Sequence, residues 1–221
     1  MTLAGTAHPK VIEIAVRFQR KRVLSKETGW IENIGLRYIP EYITQGEHDE
    51  LLELIDRQIW REELKRRVQH YGYKYDYKKR AVDRSMYLGE LPDWLLSIGR
   101  KLYDQMLIEK IPDQVIINEY QPGQGIADHI DCIPCFDKTI ISLSLGSTCI
   151  IQFTNVKTQE KLAILLDPRS LIVLQGESRY EWQHGIPQRK IDKYEGREFI
   201  RRRRVSMTFR NILVPNKSLT K

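Results

Sequence analysis

From Gln114 onward the chain alternates apolar and polar positions in short runs: QVIINEY, GIADHID, TIISLSLG, CIIQFTN, LAILLD, SLIVLQG, RYEWQHG and RVSMTFRNILV. Turn signals such as QPGQ, NVKTQ and DPRS separate them. About eight short strands at this spacing predict a double-sheet jelly roll, whose open mouth can hold a small ligand between the sheets. Upstream the period lengthens. GEHDELLELIDRQIW, Gly46 to Trp60, has helical spacing, with acidic residues in its first turn where they favour the helix dipole. A second helix is predicted after Pro92, with Trp94, Leu95, Ile98, Leu102 and Met106 on one face. The expected fold class is α+β: N-terminal helices buttress one sheet of a double-stranded β-helix, or jelly-roll, core. In outline, residues 1–28 read as a basic extension and 29–221 as a single domain, with a lid at 60–90 and the core at 113–214.

Composition narrows the setting. With 221 residues and 41% hydrophobic positions, the chain is long enough for one domain with a substantial core. No apolar run approaches the roughly 18–20 residues a membrane helix needs. The start lacks a secretory hydrophobic segment, so a cytoplasmic protein is expected, with no membrane partner. The net charge of +7 favours a polyanion. Basic residues cluster at Arg17–Arg22, Lys65–Arg67, Tyr77–Arg80 and Arg201–Arg204, and Tyr71, Tyr73, Tyr75 and Tyr77 lie among them. Cations interleaved with aromatics suit a surface that holds phosphates and stacks bases, though a solvated face beside a Tyr-rich edge strand would give the same pattern. Nothing in the pattern demands a dimer, and a monomer is expected. The three cysteines are most simply free thiols. Cys132 and Cys135 form CIPC directly after Asp131, but with only Cys149 besides, a structural zinc site is not supported.

Three distant stretches fit one kind of chemistry: His129-Ile130-Asp131, His184, and Arg204 with Arg210 in RVSMTFR. Residues i and i+2 of a strand share a face at roughly 6–7 Å, so His129 and Asp131 can both turn toward one ion. Two imidazoles and a carboxylate are the ligand set of the facial triad of non-haem Fe(II) oxygenases. Arg204 and Arg210, six apart on a strand, also share a face and supply a fork for the remote carboxylate of a 2-oxo acid. Each element alone is weak: His184 reads equally as a core histidine beside Trp182, and Arg204 as one member of a basic run. The combination, with every element on a predicted strand or its edge, carries the reading.

With these segments, NEYQPGQGIADHIDCIPCF, TIISLSLGS, GESRYEWQHGI, RVSMTFRN and the upstream KRRVQHYGYKYDY, the chain resembles the AlkB family of Fe(II)/2-oxoglutarate dioxygenases over about residues 31–214. Within the family it is most similar to members that hydroxylate wobble-uridine side chains in tRNA. The resemblance implies the jelly-roll fold, with Fe(II) on His129, Asp131 and His184, and with 2-oxoglutarate and O2 as co-substrates. It also implies that Arg204 anchors the remote carboxylate, assisted by Asn118 and Tyr120, and that Arg210 and Ser206 complete the oxo-acid end. A nucleotide-recognition lid with Arg67, Tyr71, Tyr73 and Tyr75 would meet single-stranded DNA or RNA, tRNA included.

Two departures bear on the substrate. Ser206 stands where many demethylating members carry Asn, and Ile133 stands where DNA-base demethylases often place an acid two positions after the metal-binding Asp. Both weigh against direct base repair and toward RNA. The expected function is oxidative demethylation or hydroxylation of an alkylated base in nucleic acid. The alternatives are hydroxylation of a tRNA wobble-uridine side chain, oxidation of a protein side chain, and a non-catalytic jelly-roll binding module, against which the intact His129, Asp131 and His184 set argues.

Overall fold

In the computed structural model, residues 30–213 are described. The expected extension at 1–28, with its Arg17–Arg22 cluster, lies outside them. Seven strands form the larger sheet: β1 (Trp30–Ile31), β2 (Leu36–Ile39), β3 (Arg67–Tyr71), β4 (Gln114–Tyr120), β6 (Ile140–Gly146), β9 (Leu171–Leu174) and β13 (Arg204–Arg210). They lie in the order β1-β2-β9-β6-β13-β4-β3 and pair antiparallel. Four more, β5 (Ile126–His129), β7 (Cys149–Asn155), β8 (Lys161–Leu166) and β10 (Trp182–Ile186), form a second sheet in the order β5-β10-β7-β8. A small hairpin, β11 (Ile191–Tyr194) with β12 (Arg197–Ile200), completes the β structure. This is the jelly roll that the strand spacing predicts.

Period-two alternation sorts side chains between two cores. On one face of the larger sheet, Val115, Ile117, Ile141, Leu143, Leu145, Val205, Met207 and Phe209 join an apolar cluster with Leu51, Ile55, Leu95, Ile98 and Leu102. The last five come from helices α1 (Gln45–Asp56) and α2 (Asp93–Asp104). A capping box starts α1: Thr44 Oγ1 accepts from Glu47 N–H, and Glu47 returns a carboxylate oxygen to Thr44 N–H. His48 ties it to the sheet by accepting from Gly146 N–H at 3.0 Å. The predicted first helix runs on to Trp60, whereas α1 ends at Asp56. In the second, Met106 does not join the buried stripe. It is 90% exposed with φ +56°, because α2 stops at Asp104 and Leu107 folds back, donating to Leu102 C=O.

The other cluster fills the space between the sheets, where Phe153, Leu162, Ile164, Trp182 and Ile186 of the smaller sheet meet Leu36, Tyr120, Ile140, Ile172 and Leu174 of the larger. Residues 179–180, expected to open a strand, instead end a short helix, α3 (Gly176–Tyr180), that precedes β10. The cysteine expectation also needs correction. Cys132 and Cys135 are joined as a disulfide, and Cys149 is free and buried. The turn after Asp131 explains the pairing: the N–H groups of Cys135 and Phe136 both donate to Cys132 C=O and bring the two Cα atoms to 5.2 Å. Among the described residues no helix is long and apolar enough to cross a membrane.

Candidate active site

His129 ends β5 and His184 is the middle residue of β10, and the two are register partners in the smaller sheet, ring centroids 4.6 Å apart. Gly185 allows this approach, since a Cβ there would collide with Asp128. The register slips between His184 and Ile186, a bulge of the kind that re-aims side chains beside functional sites. His129 Nδ1 lies 2.9 Å from Ala127 C=O. A carbonyl only accepts, so Nδ1 carries the proton and Nε2 keeps its lone pair. Burial pushes the His184 imidazole down to about 4, helped by the neighbouring His129, so this ring is neutral near pH 7. Its Nδ1 is buried without a hydrogen-bond partner.

Asp131 follows β5 and is 7% exposed. Burial by itself would raise its pKa. Arg210, His184, His129 and Arg179 together outweigh this, Arg210 most of all, and hold the carboxyl well below the usual carboxylate range. Arg210 Nη2 donates to Asp131 Oδ1 at 2.9 Å. Among the described residues no three His, Cys, Asp or Glu side chains stand together as a ready-made metal cage. His129 and His184 both lie near enough to Asp131 to act on its charge, while Asp131 Oδ1 is engaged by Arg210.

The polar side of β13 carries Arg210 to Asp131. Arg204, Ser206, Thr208 and Arg210 alternate with the apolar residues that face the helices, and all four are buried. Arg204 pairs in register with Tyr120, and Ser206 with both Asn118 and Ser144. Arg204 Nη2 donates to Ser144 Oγ at 3.0 Å, and its Cζ stands 5.4 Å from the Tyr120 ring. Its Nε and Nη1 are buried without partners. A buried guanidinium with open N–H groups is costly unless an anion completes it, so this corner could hold a carboxylate.

The expected substrate residues divide by parity. Tyr71 packs edge-on against Trp94 of α2, and its hydroxyl donates to Gln69. Arg67 gives both arms of its fork to Glu119, at 2.6 and 2.8 Å, and lies over Trp60. Both therefore stand on the helix face of the larger sheet, the side opposite Asn118 and Tyr120. Gly72, at φ +73° with Asp113 C=O where a Cβ would sit, then turns the chain. Beyond it Tyr73 and Tyr75 pack against the cluster between the sheets. Tyr75 lies 5.6 Å from Phe136 and 5.1 Å from Tyr77, ring to ring. Arg210 sits over the same Phe136, at 4.7 Å.

Sequence reasoning passed over Ser144 and Arg179. Arg179, on α3, is 1% exposed. It donates to the carbonyls of Asp131, Cys132, Phe136 and Asp137 at 2.9–3.3 Å, fixing the loop that presents the candidate carboxylate. The one signal available was its place in GESRY, five residues before His184.

Residues 35–210 match the 2OG-Fe(II) oxygenase superfamily. The chain belongs to this family. As a 2OG-Fe(II) oxygenase it is 39% identical over 202 residues to the Arabidopsis thaliana protein named alkylated DNA repair protein ALKBH8 homolog, covering 80% of this chain and 58% of that protein. It is 41% identical over 172 residues to the Mus musculus protein named tRNA (carboxymethyluridine(34)-5-O)-methyltransferase ALKBH8, covering 74% of this chain and 26% of the relative. The oxygenase thus spans only part of each relative. Its fold is shared with the structure titled OsALKBH1, at a TM-score of 0.62 and 16% identity, over 80% of this chain and 96% of the other. The likeness to AlkB homologues read from the motifs is borne out.

Proposed function

We propose that this oxygenase uses Fe(II) and 2-oxoglutarate to hydroxylate a carbon substituent on a base of RNA, with the side chain of a tRNA wobble uridine as the leading target. Arg204 carries the reading: a buried cation with two open N–H groups beside Asn118 and Tyr120 is what the remote carboxylate of an oxo acid requires. The donor set fits the metal, because His129 presents Nε2, His184 is neutral, and Asp131 is ionised with Oδ2 left over from its bond to Arg210. When bound, Fe(II) with O2 and the oxo acid supplies the oxidant that hydroxylates a C–H bond, while 2-oxoglutarate becomes succinate and CO2.

The chain's own residues do the rest. Arg204, Tyr120 and Asn118 orient the oxo acid, and Ser206 adds a hydroxyl beside them. Arg210 keeps Asp131 ionised. Tyr73 and Tyr75, partly buried beside the cluster between the sheets, would stack a base, with the basic residues around them holding its phosphates. The names of the relatives support a nucleic-acid substrate, and action as a cytoplasmic monomer completes the reading.

The test is to load the protein with Fe(II) and 2-oxoglutarate without oxygen, admit O2, and measure succinate and formaldehyde with tRNA, methylated RNA and methylated single-stranded DNA. Succinate stimulated by tRNA without formaldehyde is expected. Formaldehyde matching succinate on a methylated strand would make the enzyme a demethylase, and no stimulation by any nucleic acid would point to a protein substrate.

A further inference from the structure

Arg66 immediately precedes β3 and, by the alternation that sends Arg67, Gln69 and Tyr71 to the helix face, belongs with the site face. The half-buried side chain donates from Nε to Asn118 Oδ1 at 2.8 Å. Its Cζ stands 5.8 Å from the Tyr120 ring and 6.0 Å from the Tyr77 ring. Tyr120 therefore has two guanidinium groups near it, Arg204 and Arg66.

The first contact sets a neighbour's chemistry. Arg has only donors, so Asn118 must turn its carbonyl toward Arg66 and keep its NH2 for an acceptor in the site. The second point is charge. Arg67 next door is neutralised by Glu119, whereas Arg66 has no carboxylate partner among the described residues. On the reading above, 2-oxoglutarate brings two carboxylates, one for the metal and one for Arg204. That leaves the Nη atoms of Arg66 for an anion the co-substrate does not provide.

We propose that Arg66 is a specificity-determining residue that receives an oxyanion of the substrate in its fork, while its Nε holds Asn118 in the orientation the oxo acid needs. The oxyanion is a backbone phosphate beside the target nucleotide or a carboxylate on the modified base. The inference rests on the proposed nucleic-acid function.

The experiment compares the wild type with Arg66→Gln and Arg66→Lys on tRNA and on a short RNA carrying the target base, across a salt series. For Arg66→Gln the KM for RNA is expected to rise about tenfold or more and the salt slope of binding to fall by about one, with a smaller rise in the KM for 2-oxoglutarate as Asn118 is released. Arg66→Lys, which keeps the charge and loses the fork, should recover the salt slope and only part of the KM. If the anion is a phosphate, a neutral methylphosphonate beside the target base abolishes the difference between wild type and Arg66→Gln. If it is a base carboxylate, removing that carboxylate does so. A higher KM for 2-oxoglutarate with the RNA KM unchanged would assign Arg66 to the co-substrate and overturn the proposal, as would no change in either KM. A wild-type enzyme whose turnover ignores RNA would overturn the functional reading itself.

Discussion

The two faces of β13 are built from one heptapeptide, RVSMTFR, yet they do opposite things. Val205, Met207 and Phe209 enter the apolar core under α1 and α2. Arg204, Ser206, Thr208 and Arg210 are almost as buried, but they form a polar wall in which Arg204 and Arg210 still have unpartnered N–H groups. The first face is complete in the protein alone. The second leaves donors open for the ligands proposed above, so stability and chemistry should separate along a single strand.

The sharpest way to break that separation is Phe209→Ala. The buried ring leaves a cavity on the helix face, and a loss of about 3–5 kcal/mol is expected in denaturant unfolding, with the KM for 2-oxoglutarate unmoved below the transition. A co-substrate defect in the folded variant would show that the faces are coupled. Next in size is Arg204→Met, for which the KM for 2-oxoglutarate should rise on the order of 100-fold as a charged hydrogen-bonded pair is lost. Its melting temperature should hold or rise, since a buried cation with open donors is removed. A normal KM would remove Arg204 from the oxo-acid site.

The smallest effect concerns pH. Burial depresses His70 to about 4, below its ordinary 6.5. Between those values the unfolded chain takes up a proton that the folded one refuses, so stability rises with pH across the window and falls on acidification. His184 shifts the same way. His70→Phe should flatten the fall in melting temperature between about pH 6.5 and pH 4, and an unchanged profile would place the acid sensitivity elsewhere.

The strands that bury an apolar face were legible in the sequence. CIIQFTN coincides with β7 and QVIINEY with β4, because alternation reports burial directly. The hairpin β11–β12 escaped, since IDKY and REFI are mostly exposed and charged and are held by a turn at Glu195 and Gly196, both at positive φ. Gly176 and the pair Arg179 and Tyr180 were taken into flanking strands because apolar neighbours hid a helical turn that begins at Gly176 with φ +53°. Among the candidate site residues, Arg204 and Arg210 could be put on one face because an even number of positions separates them on a strand, whereas Asp131 lies past the end of β5. Arg66 and Arg67 could not be told apart. In a run of two arginines, only the register of β3 against β4 decides which one meets Glu119 and which meets Asn118.

The reach of Arg179 has a consequence for engineering. One guanidinium collects carbonyls from residues 131, 132, 136 and 137, so the loop bearing the candidate carboxylate and the segment leading to His184 form a single cassette. Adding or deleting one residue in that loop would move a carbonyl away from the fork and strand a buried cation. Such a loop cannot be exchanged with a relative's unless the GESRY segment travels with it. Retargeting by loop length belongs instead at the exposed Lys78 and Lys79, since Arg80 donates to Ile130 C=O beside Asp131.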